Sequence, residues 1–82
     1  MIRVLFFAQL REQLQCDGLT IEFAMPISVL ELREALIQKN PHWKDFLSSE
    51  KLLFAVNQTL VKSNQLIADG DEIAFFPPVT GG

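Results

Sequence analysis

Pro26 and Pro41 bracket the one long stretch of this chain that carries a helical period, and that bracket confines everything else to short elements. Pro26 closes the segment before it. Asn40-Pro41 ends the helix, because proline disfavours helical geometry in the residue that precedes it. Between them, Ser28-Val29-Leu30-Glu31 matches a capping box, in which the Ser hydroxyl accepts from a helix amide while the Glu side chain reaches back. Val29, Leu32, Leu36 and Lys39 follow one stripe with Ala35 beside them, whereas Arg33, Glu34 and Gln38 are expected to face water.

Outside the bracket the apolar residues follow strand patterns. Residues 2–7 are β-branched and aromatic and read as a first strand. Residues 9–15 are polar and fit either a loop or a short helical turn. Cys16-Asp17-Gly18 supplies a turn, with Gly18 suited to a positive φ. Residues 19–25 alternate, placing Leu19, Ile21, Phe23 and Met25 on one face. Trp43, Phe46 and Leu47, spaced i, i+3, i+4, suggest one further helical turn against the core. Residues 52–56 form a third strand, and Asn57-Gln58-Thr59 turn the chain into Leu60-Val61-Lys62. Asp69-Gly70-Asp71 is a strong turn signal ahead of a last strand over residues 72–76, which Pro77 and Pro78 stop because neither donates to a ladder. The order β-β-α-β-β-β predicts an α+β domain, with one main helix packed across one face of a small sheet.

Composition narrows the function. The chain has 82 residues, enough for one small core. Seven Lys plus Arg against ten Asp plus Glu leave a net charge of −3, the wrong sign for a phosphate-backbone binder, so no nucleic acid is expected. The longest apolar runs, residues 4–8 and the equally long 52–56, are far below the ~20 needed to span a bilayer, and no membrane partner is expected. One cysteine, Cys16, excludes an internal disulfide, and one histidine, His42, leaves no zinc-ligand cluster. Such a chain fits a cytoplasmic protein with little catalytic side-chain machinery of its own.

Strand parity exposes a candidate surface. Arg3 must face water, which puts Leu5 and Phe7 on its side; Glu72 does the same for Ala74 and Phe76, and Lys62 for Leu60. Phe7, Leu60 and Phe76 then lie on the face away from the helix. If their strands are neighbours they make one apolar patch, a sign of a protein interface. A bulge that turns one phenylalanine inward, or three scattered surface residues, are the alternatives.

Beyond residue 76 the chain reads Pro77-Pro78-Val79-Thr80-Gly81-Gly82, an expected extended tail after a domain over residues 1–76. Two residues without Cβ can enter a narrow channel with the terminal carboxylate leading. Activated as an acyl-adenylate, that carboxylate becomes open to a sulfur or amine nucleophile. A frayed terminus is the plain alternative. Cys16 beside Asp17 lacks a basic neighbour and reads as an inert or mildly oxidisable thiol. His42 reads as a surface loop residue. Asp69, Asp71 and Glu72 lack further cation ligands and read as a solvated acidic turn or a salt-bridging surface for a basic partner.

These residues also carry a family resemblance. Residues 1–12 (MIRVLFFAQLRE), 55–61 (AVNQTLV) and above all 69–82 (DGDEIAFFPPVTGG) resemble the small, sulfur-carrying subunits of molybdopterin synthases. The resemblance implies a ubiquitin-like β-grasp fold, with a mixed sheet of about five strands and the first and last strands parallel at its centre, Phe7 beside Phe76. It implies a sulfur carrier rather than an enzyme. The Gly82 carboxylate is adenylated by an activating enzyme that consumes ATP, converted by a sulfur donor enzyme to a thiocarboxylate (a 1-thioglycine), and inserted into the large synthase subunit, where its sulfur builds the molybdopterin dithiolene on cyclic pyranopterin monophosphate. The complete synthase is then a heterotetramer, and no cofactor or metal is held by this chain. Phe7, Leu60 and Phe76 hold the globular face in this scheme, Pro77, Pro78, Val79 and Thr80 extend the partner contact as the tail threads, and Gly81 stands with Gly82 at the reacting end. A thiamine-type sulfur carrier, a ubiquitin-like protein modifier and a chemically silent interaction module share enough of these features to stand as alternatives.

Overall fold

The computed structural model describes residues 1–24, 26–49 and 51–77. Its main sheet has five strands in the order β2-β1-β7-β4-β5: β2 is Gly18–Ile21, β1 Ile2–Phe6, β7 Glu72–Phe76, β4 Leu53–Val56 and β5 Thr59–Val61. β1 and β7 are parallel and lie at the centre, in the register Arg3↔Glu72, Val4↔Ile73, Leu5↔Ala74 and Phe6↔Phe75, while the other pairings are antiparallel. The pairing of first and last strands is therefore as the resemblance implies.

One face of the sheet forms the core. Val4, Phe6, Ile73, Phe75 and Phe54 alternate inward and are buried with Val29, Leu32 and Leu36 of the long helix α2, Val29–Lys39. Phe75 sits between two rings, with centroids 5.9 Å away at Phe6 and 5.4 Å away at Phe54, and Trp43 meets Phe6 edge-on at 5.4 Å. The capping box of α2 forms as expected: the Glu31 amide donates to Ser28 Oγ (3.1 Å), and the Ser28 amide donates to Glu31 Oε1 (3.0 Å). Lys39, placed on the apolar stripe by its spacing, is exposed and lays its ammonium over the Phe23 ring, 5.7 Å from the centroid. Arg33, expected in water, is half-buried, with its Nε among the buried atoms.

The structure decides, extends or corrects the sequence reading of several other elements. Residues 9–15 resolve into a helix, α1 (Ala8–Leu14), whose Leu10 and Leu14 are buried one turn apart. Trp43, Phe46 and Leu47 lie on a 3-10 turn over Pro41–Trp43 followed by the four-residue α3, Lys44–Leu47, which brings Trp43 and Leu47 into the core. The second strand stops at Ile21, and the face expected through Met25 is only partly realised: Ile21 is buried, Leu19 and Phe23 are half-buried, and Met25 lies outside the described residues. The two-residue strands β3 (Ile27–Ser28) and β6 (Leu66–Ile67) pair antiparallel beside the start of α2 and are too short to register as a period. Gly18 is not needed for a positive φ. It is needed because a Cβ there would lie 2.5 Å from the Val4 carbonyl oxygen, where β2 presses onto β1. The positive φ falls at Gly70 (90°) in the Asp69-Gly70-Asp71 turn.

Candidate functional site

The strand registers fix what the outer face of the sheet presents. Its middle row runs Gly18, Leu5, Ala74, Ala55 and Leu60 across β2, β1, β7, β4 and β5. One step toward the C-terminal end of β7, Leu53 pairs with Phe76. Phe7 continues the parity of Leu5 on the other side: it is extended (φ −125°, ψ 159°), its amide donates to the Phe75 carbonyl (3.2 Å), and it ends the strand run just before Ala8 turns to φ 56°. At the opposite end of the face, Arg3 and Glu72 are register partners. The outer face is thus graded, with charge at one end, a middle row of Gly18, Ala74 and Ala55 interspersed with Leu5 and Leu60, and Phe7, Phe76 and Leu53 at the other end.

Each sequence-derived surface residue can now be located. Leu60 is 67% exposed and Phe7 44% exposed, both on the outer face, and Phe76 is half-buried beside Leu53. None of the three turns inward. Pro77 is half-buried and borders a groove of about 230 Å³ between α1 and α3, lined among others by Gln9, Gln13, Asp45 and Phe46. Pro78, Val79, Thr80, Gly81 and Gly82 lie outside the described residues. Leu53 was missed by parity reasoning for a physical reason. Residues 52–56 are all apolar, so no charged side chain marks which of them face water.

The acidic turn needs correction. It lies at the surface, but it is not open to a basic partner as a whole, because the Asp71 carboxylate is already hydrogen-bonded within the fold. That carboxylate accepts from the Ala68 amide (2.8 Å) and from the Asn57 side-chain amide (2.9 Å). Asp69 pairs with the Met1 ammonium. Cys16 is half-buried, with its thiol 3.5 Å from the Gly18 carbonyl. His42 is exposed on the 3-10 turn, edge-on to Trp43 at 5.9 Å. Among the described residues, no three His, Cys, Asp or Glu side chains gather where they could hold a metal ion, and no helix is long and apolar enough to cross a membrane.

Central parallel terminal strands, a helix crossing one face and an open, graded apolar face on the other define a ubiquitin-like β-grasp domain. Comparison with known proteins narrows this class. The chain belongs to the ThiS family, whose model matches residues 4–82. The molybdopterin synthase sulfur carrier subunit of Escherichia coli (strain K12) is 49% identical over 82 residues, covering 100% of both chains. That of Haemophilus influenzae is 50% identical over 84 residues, again covering 100% of both. Among solved structures, a chain in the complex of subunits 1 and 2 of molybdopterin-converting factor from Helicobacter pylori matches with a TM-score of 0.68 at 30% identity, covering 99% of this chain and 97% of that one.

Proposed function

We propose that this chain is the sulfur carrier subunit of a molybdopterin synthase and works through the terminal carboxyl group of Gly82. One observation carries the reading beyond family membership. The Phe7, Phe76 and Leu53 end of the outer face coincides with the end of β7, where the chain departs toward Gly81 and Gly82. A partner that grips this face receives the tail at the rim of its contact.

The chemistry follows from a carboxylate that is inert until activated. The Gly82 carboxylate attacks the α-phosphorus of ATP on an activating enzyme, giving an acyl-adenylate and pyrophosphate. A sulfide-equivalent donor then attacks the acyl carbon and displaces AMP, leaving a thiocarboxylate. Docked on the large subunit, the thiocarboxylate sulfur attacks a carbon of cyclic pyranopterin monophosphate and displaces an oxygen leaving group, giving a carrier–substrate thioester; water then cleaves its acyl–sulfur bond, which frees the substrate thiol and returns the terminus to a carboxylate. The chain contributes no acid, base or cofactor to these steps. It contributes a face and a reach, with Phe7, Leu60 and Phe76 docking and residues 77–80 threading. Because activation needs ATP, the cycle is placed in the cytoplasm.

The test is a synthase assay with large subunit, activating enzyme, ATP and a sulfur source, read alongside the intact mass of the carrier. Wild type is expected to gain one sulfur-for-oxygen exchange and to support molybdopterin formation. Deleting Gly82 shortens the reach by up to ~3.6 Å, and a misplacement near 1 Å already costs about 100-fold in a positioned reaction, so the deletion is expected to be nearly inactive while still binding. Molybdopterin formation at the wild-type rate by the deletion would overturn the mechanism. Isopeptide-linked adducts, or sulfur delivered only to a thiazole precursor, would replace it with a modifier or a thiamine-type carrier.

A further inference from the structure

The β4–β5 hairpin, which carries Leu60, joins the sheet through the β4–β7 ladder, and its turn is fastened to the start of β7 by the side chain of Asn57. Asn57 and Gln58 form its turn, both in the left-handed region at φ 50° and 70°. The Asn57 side-chain amide donates to Asp71 Oδ1 (2.9 Å), while its side-chain oxygen accepts from the Glu72 amide (3.0 Å). Its backbone amide donates to the Glu72 carbonyl (2.8 Å). Asp71 extends the clamp, since its carbonyl accepts from the Arg3 amide (3.0 Å) and its other carboxylate oxygen from the Ala68 amide (2.8 Å). Asn57 therefore joins the β4–β5 turn to the Asp69-Gly70-Asp71 turn, and Asp71 in turn is bonded to β1.

The hairpin needs such a tie. β5 is three residues long, sits at the edge of the sheet and, among the described residues, is paired only to β4. Thr59 and Leu60 are exposed, and of this strand only Val61 packs against the core. Adjacent strands of a sheet twist over a range of roughly −10 to −35°, so with few core contacts the angle of this edge strand follows β4 and the turn at its root. We infer that Asn57 is a positioning residue: through its Asp71 and Glu72 hydrogen bonds it holds Leu60 in line with Ala74 and Phe76, so that the outer face meets the large subunit as one surface. This rests on the docking role proposed above. The clamp is on the surface, where hydrogen bonds exchange with water at small net gain, so its removal disturbs geometry more than folding.

Asn57→Gly tests this, because glycine tolerates the left-handed φ while losing the amide. Affinity for the large subunit is measured by calorimetry for wild type, Asn57→Gly, Leu60→Ala and the double variant, with a thermal melt of each. Leu60→Ala is expected to weaken binding roughly tenfold or more. Asn57→Gly is expected to weaken it about fivefold in the wild-type background and not at all once Leu60 is alanine, because coupled residues are not additive. Asp71→Ala breaks the clamp from its other end and should show the same dependence on Leu60. Wild-type affinity for both clamp variants, or equal losses in both backgrounds, would overturn the role of Asn57 and leave the docking face standing. An unchanged affinity in Leu60→Ala would overturn the docking face itself, and the role of Asn57 with it.

Discussion

Phe75 and Phe76 are adjacent in sequence and chemically identical, yet they should respond oppositely to truncation. Phe75 is fully buried, with the Phe6 and Phe54 rings 5.9 and 5.4 Å from its own. Replacing it with alanine removes a core side chain that the rigid β1–β7–β4 backbone cannot collapse to fill, a change that costs about 3–5 kcal/mol. A domain of 82 residues has roughly 4–12 kcal/mol of stability in total at about 0.05–0.15 kcal/mol per residue. The loss therefore takes a large share. At roughly 4–8 °C per kcal/mol for a domain of this size, a loss near 4 kcal/mol lowers Tm by roughly 16–32 °C. Phe76 is half-buried on the outer face, so its truncation is expected to cost only about 1 kcal/mol. Urea melts followed by the fluorescence of Trp43 suit this comparison, because it is the sole tryptophan and is packed edge-on to Phe6 at 5.4 Å. Equal midpoint shifts for Phe75→Ala and Phe76→Ala, or a larger shift for Phe76, would refute the assignment of the two sheet faces.

Four further outcomes follow from the same geometry. Phe76→Arg should keep the fold and the Trp43 signal while weakening large-subunit binding about 30-fold or more in a titration, since an unpaired charge is buried in an apolar contact. Leu60→Ala should cost under about 0.5 kcal/mol in denaturant melts, whereas Val56→Ala, half-buried on the inner face opposite Ile73, should cost about 1 kcal/mol. Gly18→Ala drives a Cβ to within 2.5 Å of the Val4 carbonyl oxygen; it should cost about 1–3 kcal/mol and speed amide exchange in β2 before β7. Ser28→Ala removes the α2 cap and should cost about 1 kcal/mol by thermal melt, with little effect on partner binding.

The candidate site divides along the same physical line as the fold. Phe7, Leu60 and Phe76 were legible as outward-facing because each shares a strand with a charged side chain that must reach water: Arg3, Lys62 and Glu72. Leu53 was not legible, because its strand holds no such marker. Asn57 read only as a turn residue, since nothing local in Asn57-Gln58 announces a partner fourteen positions away at Asp71. The acidic cluster misled for the converse reason. Its charges suggested an outward role, whereas the Ala68 backbone amide and the Asn57 side-chain amide both donate to the Asp71 carboxylate.

What the sequence by itself determined is local and periodic: the capped helix between its two prolines, the alternation in β1 and β7, the turn at Gly70, and a terminal Gly81-Gly82 that no core could use. Each is set by interactions within a few residues, where period and turn chemistry act directly. The tertiary structure alone decided which strands are neighbours, that β2 requires Gly18 for close approach rather than for turning, that residues 8–14 are helical, and that Asp71 faces Asn57. Those features depend on contacts between segments distant in the chain. A seven-residue helix such as α1 is marginal in water by itself and persists here because Leu10 and Leu14 find a core built by strands from both ends of the sequence.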